Sequence, residues 1–152
     1  MKGIEIKRAL YEFCKSFADL RIDRIRNNLG TIQEALASET KSSAGDKHET
    51  GRAMLHLEYE KLGQQLDEAE KMRMVLYRIN IGIRKEKAGL GSWVKTSKGD
   101  YFLAISAGPY TFRQTSVYCI SVNAPIGQLV LGKSAGDTIN HRGQEIKILQ
   151  IE

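Results

Sequence analysis

The sequence predicts an α+β protein: an N-terminal long antiparallel helical hairpin, then a small antiparallel sheet domain with one short helix. Three observations predict it. Apolar residues step by three and four through the first half, short β-branched and aromatic runs replace that pattern in the second, and no proline occurs before Pro109. The charge divides at the same place. Residues 1–77 hold thirteen Lys/Arg and thirteen Asp/Glu, whereas residues 78–152 hold ten against five, so the net charge of +5 belongs to the second half. The expected boundaries are 1–77 for the hairpin, with its tip near 41–52, and 78–152 for the sheet domain.

The first helix is expected from Ile4 to about Glu39. Its apolar positions are Leu10, Phe13, Phe17 and Leu20, then Ile22, Ile25, Leu29, Ile32 and Leu36, and the step between the two sets predicts a local shift of the stripe. Gly30 costs a helix interior about 1 kcal/mol relative to Ala, which flanking packing can override. The second helix is expected over 47–77, with Leu55, Leu62, Leu66, Ala69, Met72 and Leu76 along one face. A short polar break, KSSAGDKHETGR over 41–52, joins the two and predicts antiparallel packing. A helix of some 35 residues runs roughly 50 Å. Such length fits either a coiled-coil dimerisation element or a rigid rod that presents its tip.

In the second half, strands are expected at 92–96, 101–106, 117–121 and 145–151, separated by turn signals at 97–100, Gly108-Pro109, Gly136-Asp137 and Arg142-Gly143. Between the third and the last, Asn123 can cap a short helix, Pro125 falls in its first turn and Gly132 can end it. Residues 78–91 form the junction.

Composition excludes several classes. With 41% hydrophobic and 27% charged residues in 152, the chain has a globular make-up. It shows no apolar run of about 18 residues and no signal-peptide pattern at MKGIEIKRALYEF, so the expectation is a cytoplasmic protein without a membrane partner. Cys14 and Cys119 lack CxxC spacing, which predicts reduced, partly buried thiols rather than a disulfide or a zinc site. The basic half suits nucleic acid or an acidic protein surface, and equally a solvated face. Gly127-Gln-Leu-Val-Leu-Gly-Lys-Ser134 matches the phosphate-loop pattern G-x-x-x-x-G-K-[ST] letter for letter. Its context is wrong, because the Lys-Ser pair should open a helix after a strand, and here it leads through a turn toward a strand.

Chemistry concentrates at the break between the helices. Asp46 followed three residues later by Glu49 is a capping-box arrangement, in which each carboxylate accepts from a backbone N–H at the helix start. The same two carboxylates on one turn are hard oxygen donors for a divalent cation. His48 is a solvated loop histidine or a proton shuttle, and His56 and His141 form no cluster with it.

The segment ISVNAPIGQLVLGKSAGDTI over 120–139, closing with EIKILQIE over 145–152, resembles the C-terminal domain of the bacterial Gre transcript-cleavage factors, GreA and GreB. That family carries a VNSPI…LLGK…GD pattern followed by a terminal strand. Gly45-Asp46-Lys47-His48-Glu49 resembles the family's GDLSEN tip motif, and the order of hairpin then domain is similar too, so the resemblance covers nearly the whole chain. It implies an FKBP-like C-terminal domain docked at the rim of the RNA polymerase secondary channel, with the coiled coil passing down the channel. Prolyl isomerisation does not follow from such a fold, and Trp93, Tyr101, Phe102, Tyr110 and Phe112 read as sheet core and face residues.

The resemblance also implies roles for residues. Asp46 and Glu49 would assist as catalytic and metal ligands, supplying oxygens for the polymerase's weakly held second Mg²⁺ in hydrolysis of backtracked RNA. The chain would be no enzyme itself, would hold no cofactor stably and would share Mg²⁺ only with RNA polymerase. Lys41, Lys47 and Arg52 are placed to touch phosphates of the extruded RNA 3′ end, and Ala124, Pro125 and Ile126 lie in the motif expected to meet polymerase. The free protein is expected as a monomer. Lys47, His48, Thr50, Arg52 and Ala53 depart from the family's tip pattern and make it less acidic. Three readings follow: stimulation of transcript cleavage, occupation of the channel without cleavage, and a coiled-coil oligomer without polymerase.

Overall fold

The computed structural model describes residues 3–41 and 46–152, the side chains of 40, 41 and 46–48 excepted. It divides into two compact units, Ala18–Arg73 and a second made of the chain up to Phe17 together with Met74–Glu152.

The first unit consists of the inner parts of two long helices, α1 (Gly3–Lys41) and α2 (Asp46–Tyr77). Partner numbers fall on α2 as they rise on α1: Asp19 with Arg73 at 3.9 Å, Arg26 with Glu70 at 3.2 Å, Gln33 with Tyr59 at 3.3 Å. The helices are therefore antiparallel, as expected. These polar pairs are solvent-exposed and contribute little. The unit is held by Ile22, Ile25, Leu62 and Ala69, with Leu29, Ile32 and Leu66 half-buried beside them. Ile22→Ala is expected to destabilise this unit by about 2–4 kcal/mol, because no third layer can fill the gap; chemical denaturation followed by helical circular dichroism checks it.

The stripe along α1 differs from the expected one. Buried positions fall at Ile6, Leu10, Cys14, Ala18, Ile22 and Ile25, whereas Leu20 is 63% exposed. Steps of four carry the stripe through the small residues Cys14 and Ala18, so the expected shift does not occur. On α2 the most buried positions, Leu62, Ala69 and Leu76, recur every seven residues.

In the second unit, six strands form one sheet in the order β3-β4-β2-β1-β6-β5. They are β1 (Trp93–Thr96), β2 (Gly99–Ala104), β3 (Gly108–Phe112), β4 (Thr115–Ser121), β5 (Thr138–His141) and β6 (Gln144–Ile151), with α3 (Pro125–Val130) between β4 and β5. Two features depart from expectation. Gly108-Pro109 opens β3 instead of a turn, which the fold permits because β3 is an edge strand, where a proline breaks no ladder. The sheet is also not wholly antiparallel, since β2 and β4 pair in parallel from Asp100↔Val117 to Ala104↔Ser121.

Each face of the sheet is covered. On one, Val94, Leu103, Ile139, Ile146, Ile148 and Ile151 pack with Val130 and with half-buried Ile126 and Leu129 of α3. On the other lie Trp93, Phe102, Val117 and Cys119, in register as Trp93↔Phe102 and Phe102↔Cys119. There the first turns of α1 meet the sheet, with the Phe13 ring 4.8 Å from that of Tyr110. Among the described residues no helix is long and apolar enough to cross a membrane.

α3 starts one residue later than its expected cap. Ala124 is the N-cap, without a side-chain hydrogen bond, because Ala124 N–H donates to Ser121 C=O at 3.1 Å and closes a tight turn that leaves Asn123 outside. Pro125 occupies the first turn and Gly132, at φ +82°, follows the helix end, both as expected.

Candidate functional site

Helix geometry positions the tip residues. Lys41 is the last residue of α1 and Asp46 the first of α2, so both stand at one end of the antiparallel pair. Three residues on along α2, Glu49 shares a face with position 46 and its side chain is exposed. The side chains of Asp46, Lys41, Lys47 and His48 lie outside the described residues. Arg52, one turn beyond 48, is half-buried and engaged in contacts of its own. An exposed carboxylate one turn from a helix-opening aspartate fits a hard cation that takes most of its ligands from elsewhere. Among the described residues no group of three or more His, Cys, Asp or Glu side chains can hold a metal ion.

The C-terminal motif residues lie apart in sequence from the tip and belong to the other unit. Pro125 is exposed at the start of α3, Ala124 is half-buried at its cap, and Ile126 packs against the sheet core. The phosphate-loop text match falls at the wrong end of a helix. Gly132 N–H donates to Ala88 C=O at 2.8 Å, Lys133 N–H to Val130 C=O at 3.0 Å and Ser134 N–H to the Asp137 carboxylate at 2.8 Å. The backbone donors that would hold a phosphate are already used within the protein.

Three titratable groups have environments that no local pattern announces. Lys7 is 4% exposed, and burial pushes its ammonium below the ordinary value of 10.5, with Lys85 and Arg84 repelling it and Glu152 opposing the shift. Its Nζ donates to Ile83 C=O at 3.5 Å. Cys14 on α1 and Cys119 on β4 are both buried and free. Their thiols hydrogen-bond each other, and this contact, with burial, pushes the Cys119 thiol far up. Such a thiol stays protonated and unreactive.

Asp100 is the third. Burial raises its pKa above the ordinary 3.8, while the Trp93 indole N–H, donating at 3.2 Å, and the charge of Lys95 oppose the shift. Lys95 Nζ lies 4.5 Å from the Trp93 ring centroid. Because the folded state holds this proton more tightly, the group's contribution to stability is fully present below 3.8 and is lost as pH rises through the raised value. Asp100→Asn keeps an acceptor for Trp93 and removes the half-buried charge. The variant is expected to be at least as stable as the parent at neutral pH and to lose this part of the acid dependence. Urea midpoints between pH 3 and 7, read from the one tryptophan, check it.

Comparison with known proteins adds structural likeness only. No protein-family model matches the sequence, and no curated protein matches it. The chain is similar to the crystal structure of GreA factor homolog 1 (Gfh1) of Thermus thermophilus, at 19% identity and a TM-score of 0.36, covering 91% of this chain and 94% of that one. It is similar in the same degree to a structure of the transcription factor Gfh1, at 20% identity and a TM-score of 0.36, covering 90% of this chain and 92% of that one. A likeness of this degree carries no assignment of function.

Proposed function

We propose that the protein is a Gre-like transcription factor that enters the secondary channel of RNA polymerase and stimulates cleavage of backtracked RNA by the polymerase's own active site. The observation that carries this reading is the position of Asp46 and Glu49 on the opening turn of α2, at the end where two long antiparallel helices meet. The resemblance of residues 120–139 to the Gre C-terminal motif supports it. A second Mg²⁺ held in such a site would supply charge stabilisation for hydrolysis of the phosphodiester. Asp46 and Glu49 add oxygen ligands to it, and the helix N-terminus holds both acids on one turn whether or not they also cap it. The sheet unit, through Ala124, Pro125 and Ile126, docks on the polymerase rim. The chain makes and breaks no bond itself.

The flanking cations favour a second reading. Lys41, Lys47 and Arg52 offset the carboxylates' pull on a divalent ion, and with that balance the protein occupies the channel and modulates transcription without cleavage. A stalled elongation complex of the cognate polymerase with 3′-extruded RNA separates the two. Release of a short 3′ fragment on adding the protein supports stimulation. Binding without a fragment supports occupation, and a dimeric mass in solution with no polymerase binding overturns both.

A further inference from the structure

β6 loses its outer neighbour before it ends. β5 pairs with it from His141↔Gln144 to Thr138↔Lys147, and the last bonds across are Ile148 N–H to Asp137 C=O and Gly136 N–H to Ile148 C=O, each 2.8 Å. On the inner side, Trp93 and Glu152 exchange both backbone hydrogen bonds, at 3.0 and 2.8 Å. By the alternation of an antiparallel ladder, Ile151 therefore turns its N–H and C=O outward. That edge faces a cleft of about 510 Å³ bordered by residues 84–86, 134–135 and 149–151. The opposite wall is anchored, since Ala88 N–H donates to Lys133 C=O at 2.8 Å and Lys87 bridges to Ser134.

The cleft is bordered by two cations, one acid and the exposed apolar side chain of Leu149. Arg84 Nε donates to Ile151 C=O at 3.2 Å, which holds the guanidinium over the strand edge with other N–H donors to spare. Lys85 is exposed beside it, Glu86 is the acid on the rim, and Leu149 is 54% exposed. An outward strand edge is a template for another strand, and charge complementarity selects an acidic one. Single-stranded RNA is the poorer fit, because no aromatic side chain lines the cleft to stack a base.

We propose that this cleft is a docking surface for an extended acidic segment of a partner protein. The segment lies beside residues 149–151 as an added strand, its carboxylates on Arg84 and Lys85 and its alternate apolar side chains on Leu149. The full chain, a fluorescein-labelled octapeptide of alternating glutamate and valine, and fluorescence anisotropy test it. Saturable binding is expected, weakened about tenfold by Lys85→Glu and likewise by Arg84→Gln, and falling as ionic strength rises. A peptide N-methylated at its central residues, which lacks the backbone donors, is expected to bind at least about tenfold more weakly. Lys85 is exposed, so the Lys85→Glu variant keeps its fold, and an unchanged Trp93 melting curve verifies this. The proposal is overturned by unchanged affinity of Lys85→Glu, by equal binding of the N-methylated peptide, by no saturation at millimolar peptide, or by tighter binding of an octauridylate at the same residues.

Discussion

Gly127→Ala is expected to lower the melting point of the sheet unit by roughly 15 °C, the equivalent of about 3 kcal/mol. A Cβ at this position would lie 2.2 Å from the Ser121 carbonyl oxygen and 3.1 Å from Val122 Cα. Both are backbone atoms of the turn from β4 into α3, so neither can swing aside as a side chain does. The methyl must lift α3, and α3 carries Ile126, Leu129 and Val130 onto Val94, Leu103, Ile146 and Ile148. Relief of the clash thus costs core contact. Gly30 makes the contrast: nothing lies within 4 Å of its Cβ position in α1, and Gly30→Ala is expected to stabilise the helix by about 0.5–1 kcal/mol. Thermal scans read at Trp93 for the sheet unit and by circular dichroism for the helices separate the two effects. An unchanged Trp93 midpoint in Gly127→Ala would contradict the close approach of α3 to the turn.

The second large effect concerns activity. Under the proposed function, Asp46→Asn and Glu49→Gln each reduce stimulated cleavage on the order of 100-fold, since a metal supplies several kcal/mol of charge stabilisation and 1.36 kcal/mol is tenfold. Stability should hold within about 0.5 kcal/mol, because Asn caps a helix as well as Asp and Gln replaces Glu in a capping box. This pairing distinguishes the roles. If the acids act only as caps, Asp46→Ala lowers helix stability and the amide variants change nothing.

Much of the fold is legible in the sequence where a local pattern encodes it. The two helices, four of the six strands and α3 follow from period, turn residues and the Pro125 to Gly132 punctuation. Features set by distant contacts are not legible. β3 hides because Gly108-Pro109 looks like a turn, and its hairpin to β4 turns through Arg113 at φ 54°, without the glycine or asparagine that announces such a turn. The parallel pairing of β2 with β4 is decided by strand order, on which alternation within a strand is silent. Leu20 looks like a core position and is exposed, while Cys14 and Ala18 are buried. Small residues mark where elements approach closely, and a hydrophobicity pattern undervalues them.

The candidate sites divide in the same way. Asp46 and Glu49 are visible as a three-residue spacing at a helix start. Arg84 and Lys85 read only as a charged junction, because the cleft they border depends on β6, some 65 residues downstream, as the Arg84 bond to Ile151 shows. Buried Lys7 and the Cys14–Cys119 contact have no local signal either, being produced by packing of α1 on the sheet.

The most direct test of the tip acids' role is the Mg²⁺ dependence of cleavage in a stalled, backtracked elongation complex, measured with and without the protein. If Asp46 and Glu49 add ligands to the second ion, the protein lowers the half-saturating Mg²⁺ concentration by about tenfold, and Asp46→Asn restores the value of polymerase alone. The same half-saturating concentration with the protein, the variant or neither, or no added cleavage at any Mg²⁺ concentration, would contradict it.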